Sequence, residues 1–275
     1  MLRTVSDIEG YSIRASDGDI GQVSDFLFDD PSWVIRYLVV ETGFWLTRRK
    51  VLISPLAIGA ARWDERLLPV AITKEQVRNS PDIDTERPVS RQHEAQYLDY
   101  YGYPYYWAGS GLWGMGADPR AMPAAGAMPP PAAGLEFARQ EDARHDNDDP
   151  QLRSGREVRH YHVHAQDGEI GRVQGMLIDD SNWAIRYLIV HTSRWWQGQR
   201  VLVSPAWIEN VRWDDSSITV ALTRKAVRRS PPYMLSTQLG RIEEEALHGH
   251  YGKRGYWVDD LLGEAEERIA DAPVT

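Results

Sequence analysis

Apolar residues along this chain come in short runs separated by turn formers, which predicts strands rather than long helices. Tyr11–Ser16 alternates apolar and polar side chains, and Asp19–Phe28 follows across Asp17-Gly18. That is the pattern of a hairpin whose turn takes positive φ, as a type I′ turn demands. Gly21, just past the turn, is placed for a bulge that curves the strand. Val34–Val40 is apolar on both faces apart from Arg36, so it reads as a central strand. Lys50–Ile53, Ile58–Trp63 and Leu67–Ile72 follow, the last two pairing across Asp64-Glu65-Arg66, which makes about six short strands. Thr73 with Gln76 has the capping-box spacing and predicts a short helix stopped by Pro81. Ser90–Tyr101 predicts a second helix, apolar at Ala95, Leu98 and Tyr101 and ended by Gly102.

The pattern then occurs again. Asp17-Gly18-Asp19-Ile20-Gly21 returns as Asp167-Gly168-Glu169-Ile170-Gly171, a shift of 167 − 17 = 150 positions. The same shift carries Trp33 onto Trp183, Ile35-Arg36-Tyr37-Leu38 onto Ile185-Arg186-Tyr187-Leu188, and Tyr106-Trp107 onto Tyr256-Trp257. A gap-free match over that length is the signature of duplication. We therefore divide the chain into a first repeat with helical tail (1–107), a linker (108–154), a second repeat with helical tail (155–257) and an acidic C-terminal tail (258–275). The linker is Pro/Ala/Gly-rich and then acidic, a composition that cannot build a core, so we expect a disordered tether.

Composition narrows the chemistry. At 275 residues, 42% hydrophobic and 26% charged, the chain suits about two ordinary globular domains. A formal net charge of −9 makes nucleic acid an improbable partner, although Arg224, Lys225, Arg228 and Arg229 form a local basic cluster. The absence of cysteine removes disulfides, thiolate metal sites and Cys nucleophiles. Met1–Asp7 lacks the apolar centre of a secretory signal, and no membrane-length apolar run occurs. We expect a cytoplasmic protein whose contact with a membrane is at most peripheral.

Asp-Gly-x-Ile-Gly-x-Val, the apolar stretch closed by Asp29-Asp30, then Ile-Arg-Tyr-Leu-Val-Val and Val-Leu-Ile-Ser-Pro, resemble the PRC-barrel domain family over about residues 5–80 and 155–230. The resemblance implies a mostly β protein: two small six-stranded PRC-type β-barrels, each with a short helical tail. It also implies protein contact rather than catalysis, since the family is similar to the cytoplasmic part of the photosynthetic reaction-centre H subunit and to the C-terminal half of a bacterial ribosome maturation factor. From the residues, we expect neither the membrane anchor of the former nor the extra N-terminal domain of the latter.

Candidate chemistry is sparse. His160, His162 and His164 alternate along a predicted strand, and one alternative reading is a metal-dependent sensor using that face. Copy one has Gly10, Ser12 and Arg14 there, which favours a solvated face without metal. Arg36 and Arg186, inside apolar strands, call for a charge partner such as Asp29, Asp30 or Asp64. Asp29-Asp30 and Asp179-Asp180 have the composition of an acid/base pair, but neighbouring side chains point apart. No phosphate loop, nucleophile elbow or zinc-protease motif occurs, and no cofactor is implied. Tyr103, Tyr105, Tyr106 and Trp107 are the candidate partner-binding residues, because aromatics dominate interface hot spots. The expectation is a non-enzymatic protein-binding or assembly module whose two repeats can pack on each other. The alternative from resemblance is a peripheral accessory of photosynthetic or other membrane electron-transfer complexes.

Overall fold

The computed structural model describes residues 1–81, 89, 91–107, 109, 111–114, 116–121, 152–192, 198–235 and 238–258. The first half contributes β1 (Leu2–Thr4), α1 (Val5–Ile8), β2 (Ser12–Ala15), β3 (Gly18–Asp29), β4 (Val34–Thr42), β5 (Lys50–Ile53), β6 (Leu67–Pro69), α2 (Lys74–Asn79) and α3 (Arg91–Tyr101). The second contributes β7 (Leu152–Ser154), α4 (Gly155–Val158), β8 (His162–Ala165), β9 (Gly168–Asp179), β10 (Ile185–Thr192), β11 (Arg200–Val203), β12 (Ile208–Arg212), β13 (Ser217–Val220), α5 (Arg224–Arg228) and α6 (Arg241–Tyr251).

Local chemistry explains most of these boundaries. Thr73 accepts a hydrogen bond from the Gln76 amide and Gln76 returns one to Thr73, the reciprocal cap that starts α2. Gly102, at φ 67°, ends α3 where a side chain would be strained. At the β2–β3 turn the positive φ falls on Gly18 alone (136°) and not on Asp17 as well, so the expected type I′ turn is not formed. Asp17 is used differently: its carboxylate accepts from the Lys74 amide at 2.8 Å, and Asp167 does the same for Arg224 at 2.6 Å. Gly21 and Gly171 are required by close approach, since a Cβ at either would lie 2.1 Å from the carbonyl oxygen of Glu41 or His191.

Two sheets result. One runs β5-β4-β3-β2-β6 and the other β11-β10-β9-β8-β13-β12, each an open hydrogen-bonded order among the described residues rather than a closed ring. The predicted strand Ile58–Trp63 makes only isolated bridges, Ile58 to Val70 and Arg62 to Leu67, whereas its counterpart is the full strand β12. Val34–Val40 is buried throughout, as its doubly apolar pattern requires.

The sheets are completed reciprocally. β1 of the first half pairs antiparallel with β9 of the second, Leu2 opposite Asp179, and β7 of the second half pairs with β3 of the first, Leu152 opposite Asp29. The two contacts differ by 150 at every position, the pattern of a two-fold exchange between equal partners. On that pseudo-axis Val34 bridges Ala184, the Ile35 amide donates to Trp183 O at 2.9 Å, and the Ile185 amide donates to Trp33 O at 2.7 Å. Trp33 and Trp183 are both left-handed, at φ 54° and 63°, a costly conformation for so bulky a residue. The inter-unit bonds from their carbonyls help hold them there. Buried side chains of both halves form one continuous cluster.

The segment following α3 also departs from the tether expected from residue 108 onward. Trp113 is 1% exposed, and its indole N–H donates to the Asn182 carbonyl of the second unit at 2.8 Å. The end of the expected linker, Leu152–Ser154, is strand β7 rather than tether, while 122–151 and the C-terminal tail from 259 lie outside the described residues.

The two exchanged contacts are not interchangeable in detail. Glu9 and Arg159 are equivalent positions and face each other as an ion pair, Arg159 Nη1 donating to Glu9 Oε2 at 3.2 Å. Gly155 sits where a Cβ would strike the Phe26 ring at 1.8 Å, while the equivalent pair is Val5 and Met176. Glu9→Arg or Arg159→Glu sets like charges together and should lower stability by about 1 kcal/mol at this half-exposed site. The double exchange Glu9→Arg/Arg159→Glu should restore wild-type stability, and a denaturant-unfolding cycle over the four proteins measures this.

Candidate functional site

The four aromatic residues expected at a partner surface are placed inside the protein. Tyr103, Tyr105 and Tyr106 are buried and Trp107 is half-buried. Tyr103 stacks on Tyr101, with centroids 5.5 Å apart, and Tyr105 stacks on Trp107 at 4.8 Å. Tyr105 donates to Asp99 at 2.5 Å. Tyr106 donates to Glu94 Oε1 at 2.5 Å and accepts from Arg91 at 2.6 Å. The tract pins the helical tail to its sheet, because the rings bury apolar area while the Tyr105 and Tyr106 hydroxyls find partners.

Arg36 is the centre of this region. Its guanidinium bonds Asp29 at 3.1 Å, Ser32 at 3.1 Å and the Leu112 carbonyl at 2.5 Å, and it lies 3.8 Å from the Tyr106 ring. The second unit repeats the arrangement: Arg186 lies 3.6 Å from Asp179 and 3.8 Å from the Tyr256 ring. Glu244 accepts from Tyr187 at 2.9 Å and Tyr256 at 2.8 Å. Arg91, Glu94, Arg241 and Glu244 were not singled out from the sequence. Their identity across the 150-residue shift, within helices that otherwise share only Tyr101 and Tyr251, is the signal that could have found them.

The paired acids divide their work. Asp29 turns inward to Arg36, while Asp30 takes Arg153 of β7 at 3.3 Å. In the other unit Asp180 binds Arg3 of β1 at 2.7 Å and the chain's N-terminal amine at 2.7 Å. Arg3 also covers the Trp63 ring at 3.9 Å, and Arg153 covers Trp213 at 4.1 Å. Adjacent carboxylates thus serve two cations, one within a unit and one from the exchanged strand, instead of sharing a proton.

The histidine face is smaller than its spacing suggested. His160 precedes β8 in a left-handed conformation (φ 83°) and takes no part in the strand alternation. His162 Nδ1 lies 2.8 Å from Glu169 Oε1, and this contact holds the Glu169 carboxyl below its ordinary range. Among the described residues, no three His, Asp or Glu side chains are placed to hold a metal ion.

The exposed features lie elsewhere. A cleft of about 240 Å³ runs between β1 and the segment following α5, lined by Met1, Leu2 and Arg3 from one unit and by Leu177, Leu235 and Leu239 from the other. Met234 and Leu235 stand in solvent beside it. Because β1 is an exchanged strand, neither unit forms this cleft alone. Among the described residues no helix is long and apolar enough to cross a membrane.

Glu94 is fully buried, and burial pushes its carboxyl up to about 7, against the opposing pull of Arg91. A raised carboxyl pKa means that the folded state binds a proton more tightly than the unfolded one. Its stabilising contribution is therefore complete below the ordinary value of 4.5 and is lost as pH rises through about 7. Glu94→Gln, which cannot ionise, should remove that loss: thermal melts against pH should show the wild type falling relative to the variant over this window.

Compared with known proteins, the chain matches no curated protein. A family model does match: the PRC-barrel domain, over residues 2–76, which takes in β1 to β6 and the start of α2. The hairpin with its close-approach glycine, the doubly buried β4 and the Ser-Pro turn after β5 all fall inside that span. What the comparison shows is therefore a PRC-barrel likeness confined to residues 2–76.

Proposed function

We propose that the protein is a non-enzymatic binding or assembly module made of two PRC-barrel domains, and that it captures a protein partner in the cleft between β1 and residues 233–239. The PRC-barrel domain suggests interaction rather than chemistry. The second unit repeats its strands at a constant offset, which supports reading it as the same domain, each sheet being extended by the other unit's N-terminal strand.

The observation that carries the reading is the composite cleft. Its lining, polar as well as apolar, comes from both units, and Met234 and Leu235 remain exposed where a partner's side chains can cover them. By contrast, the charged groups most suggestive of catalysis, Asp29, Asp179, Arg36 and Arg186, are consumed in structural pairs.

Cross-linking and pull-down of the tagged full chain in its own cells tests this. Met234→Glu and Leu235→Glu change exposed side chains and should fold normally, yet capture of the wild-type partner should drop about tenfold, as expected for loss of an apolar anchor. Identical capture by wild type and both variants would refute the cleft as the binding site.

A further inference from the structure

Phe44 is the most exposed large apolar side chain among the described residues, at 83%. It heads a 3-10 turn, Phe44–Leu46, in the connection from β4 to β5. That connection is firmly built. The Leu46 and Arg48 amides both donate to Gly43 O, at 3.2 and 3.3 Å, the Arg49 amide donates to Leu46 O at 2.9 Å, and Thr42 Oγ1 donates to Arg49 O at 2.7 Å. Thr47 and Arg48 are consecutive left-handed residues, φ 49° and 57°, in positions that glycine or asparagine would fill without strain. A strained, bonded turn that holds a phenyl ring in water is a poor device for stability and a good one for presenting that ring.

Cations surround the aromatic tip. The Arg48 guanidinium lies 4.5 Å from the Phe44 ring, and the Lys74 ammonium 4.5 Å from the Trp45 ring, whose indole is fixed by donation to Ile20 O at 2.7 Å. Arg78, one helical turn beyond Lys74, lies 5.9 Å from the same ring. Three acids lie nearby: Glu41 is opposite Lys50 in the β4–β5 register, Asp17 caps the Lys74 amide, and Glu75 follows on α2. The sequence keeps this character in the second half, where Arg194, Trp195 and Trp196 correspond to Phe44–Leu46 and Arg224 and Arg228 to Lys74 and Arg78.

We propose that the 43–49 turn, with Lys74 and Arg78, docks the protein on an anionic lipid surface. Phe44 enters the headgroup region, where aromatic rings are favoured, and Arg48, Lys74 and Arg78 meet lipid phosphates. A lipid surface suits this geometry better than an acidic protein, because a fluid interface closes around an exposed ring and its neighbouring cation without a preformed socket. With a net charge of −9 the whole chain is repelled by anions, so contact depends on this local patch and must weaken sharply with salt.

Co-sedimentation of the full chain with vesicles tests the proposal, comparing phosphatidylcholine alone with phosphatidylcholine mixed with phosphatidylglycerol. The wild type should pellet only with the anionic vesicles and be released by added salt. Arg48→Asn, which removes the charge and suits the left-handed backbone, should weaken binding about fivefold, and Phe44→Ser about tenfold, with circular dichroism confirming the fold of each. Equal pelleting with neutral vesicles, no pelleting with either, or anionic binding untouched by both variants would overturn it. So would binding to soluble polyglutamate as tight as binding to the vesicles, since that would assign the patch to acidic polypeptides.

Discussion

Each sheet in this protein is completed by three residues from the opposite half of the chain. β1 lies on β9 and β7 lies on β3, so neither half satisfies its own backbone donors and acceptors without the other. Much else follows from this exchange. The second acid of each Asp-Asp pair is turned outward because an arginine arrives with the foreign strand, and the tryptophan under that arginine is positioned to stack on it. The strained Trp33 and Trp183 backbones persist on the pseudo-axis because the opposite unit hydrogen-bonds their carbonyls.

A symmetric exchange of this kind is what a homodimer would make, and a single chain carrying both halves is free to break the symmetry. Residues that would meet their own copies on the axis can then diverge into complementary pairs. Glu9 against Arg159 replaces what identity would have made a like-charge contact, and Gly155 leaves room for Phe26 where the other contact sets Val5 with Met176. The buried relays diverge too: Tyr187 contacts both Glu244 and His248, while in the first unit Leu98 occupies the histidine's place and the Tyr37 hydroxyl has no hydrogen bond among the described residues. Each half has become the complement of the other rather than its duplicate, which fixes the pairing while leaving the outer faces free to specialise.

Much of the fold was legible in the sequence because its determinants are local. The Thr73–Gln76 cap, the Gly102 stop, the doubly apolar Val34–Val40 strand and the close-approach glycines act through a few neighbouring residues, and the pairing of Arg36 with Asp29 follows from the cost of burying an unpaired guanidinium. The candidate site was far less legible. An aromatic cluster has the same composition whether its rings face solvent or a sheet, so Tyr103, Tyr105 and Tyr106 read as a surface and proved to be interior. Phe44 opens the apolar run Phe44-Trp45-Leu46, and nothing in that run showed which of the three would stand in solvent. His160 shares the spacing of a strand face but precedes the strand, because its backbone turns left-handed there.

Strand grammar, a pattern that returns at an offset of 150 and the PRC-barrel likeness of residues 2–76 were all legible along the chain, because each depends on periodicity and turn chemistry. Only the tertiary structure decided which half supplies the last strand of each sheet, that Trp113 would cross to the second unit, and that a cleft would open beside β1. Strands of three residues carry too little pattern to name their partners. Their pairing is set by which distant edge offers matching hydrogen bonds and charges, and that information exists only once both halves have folded against each other.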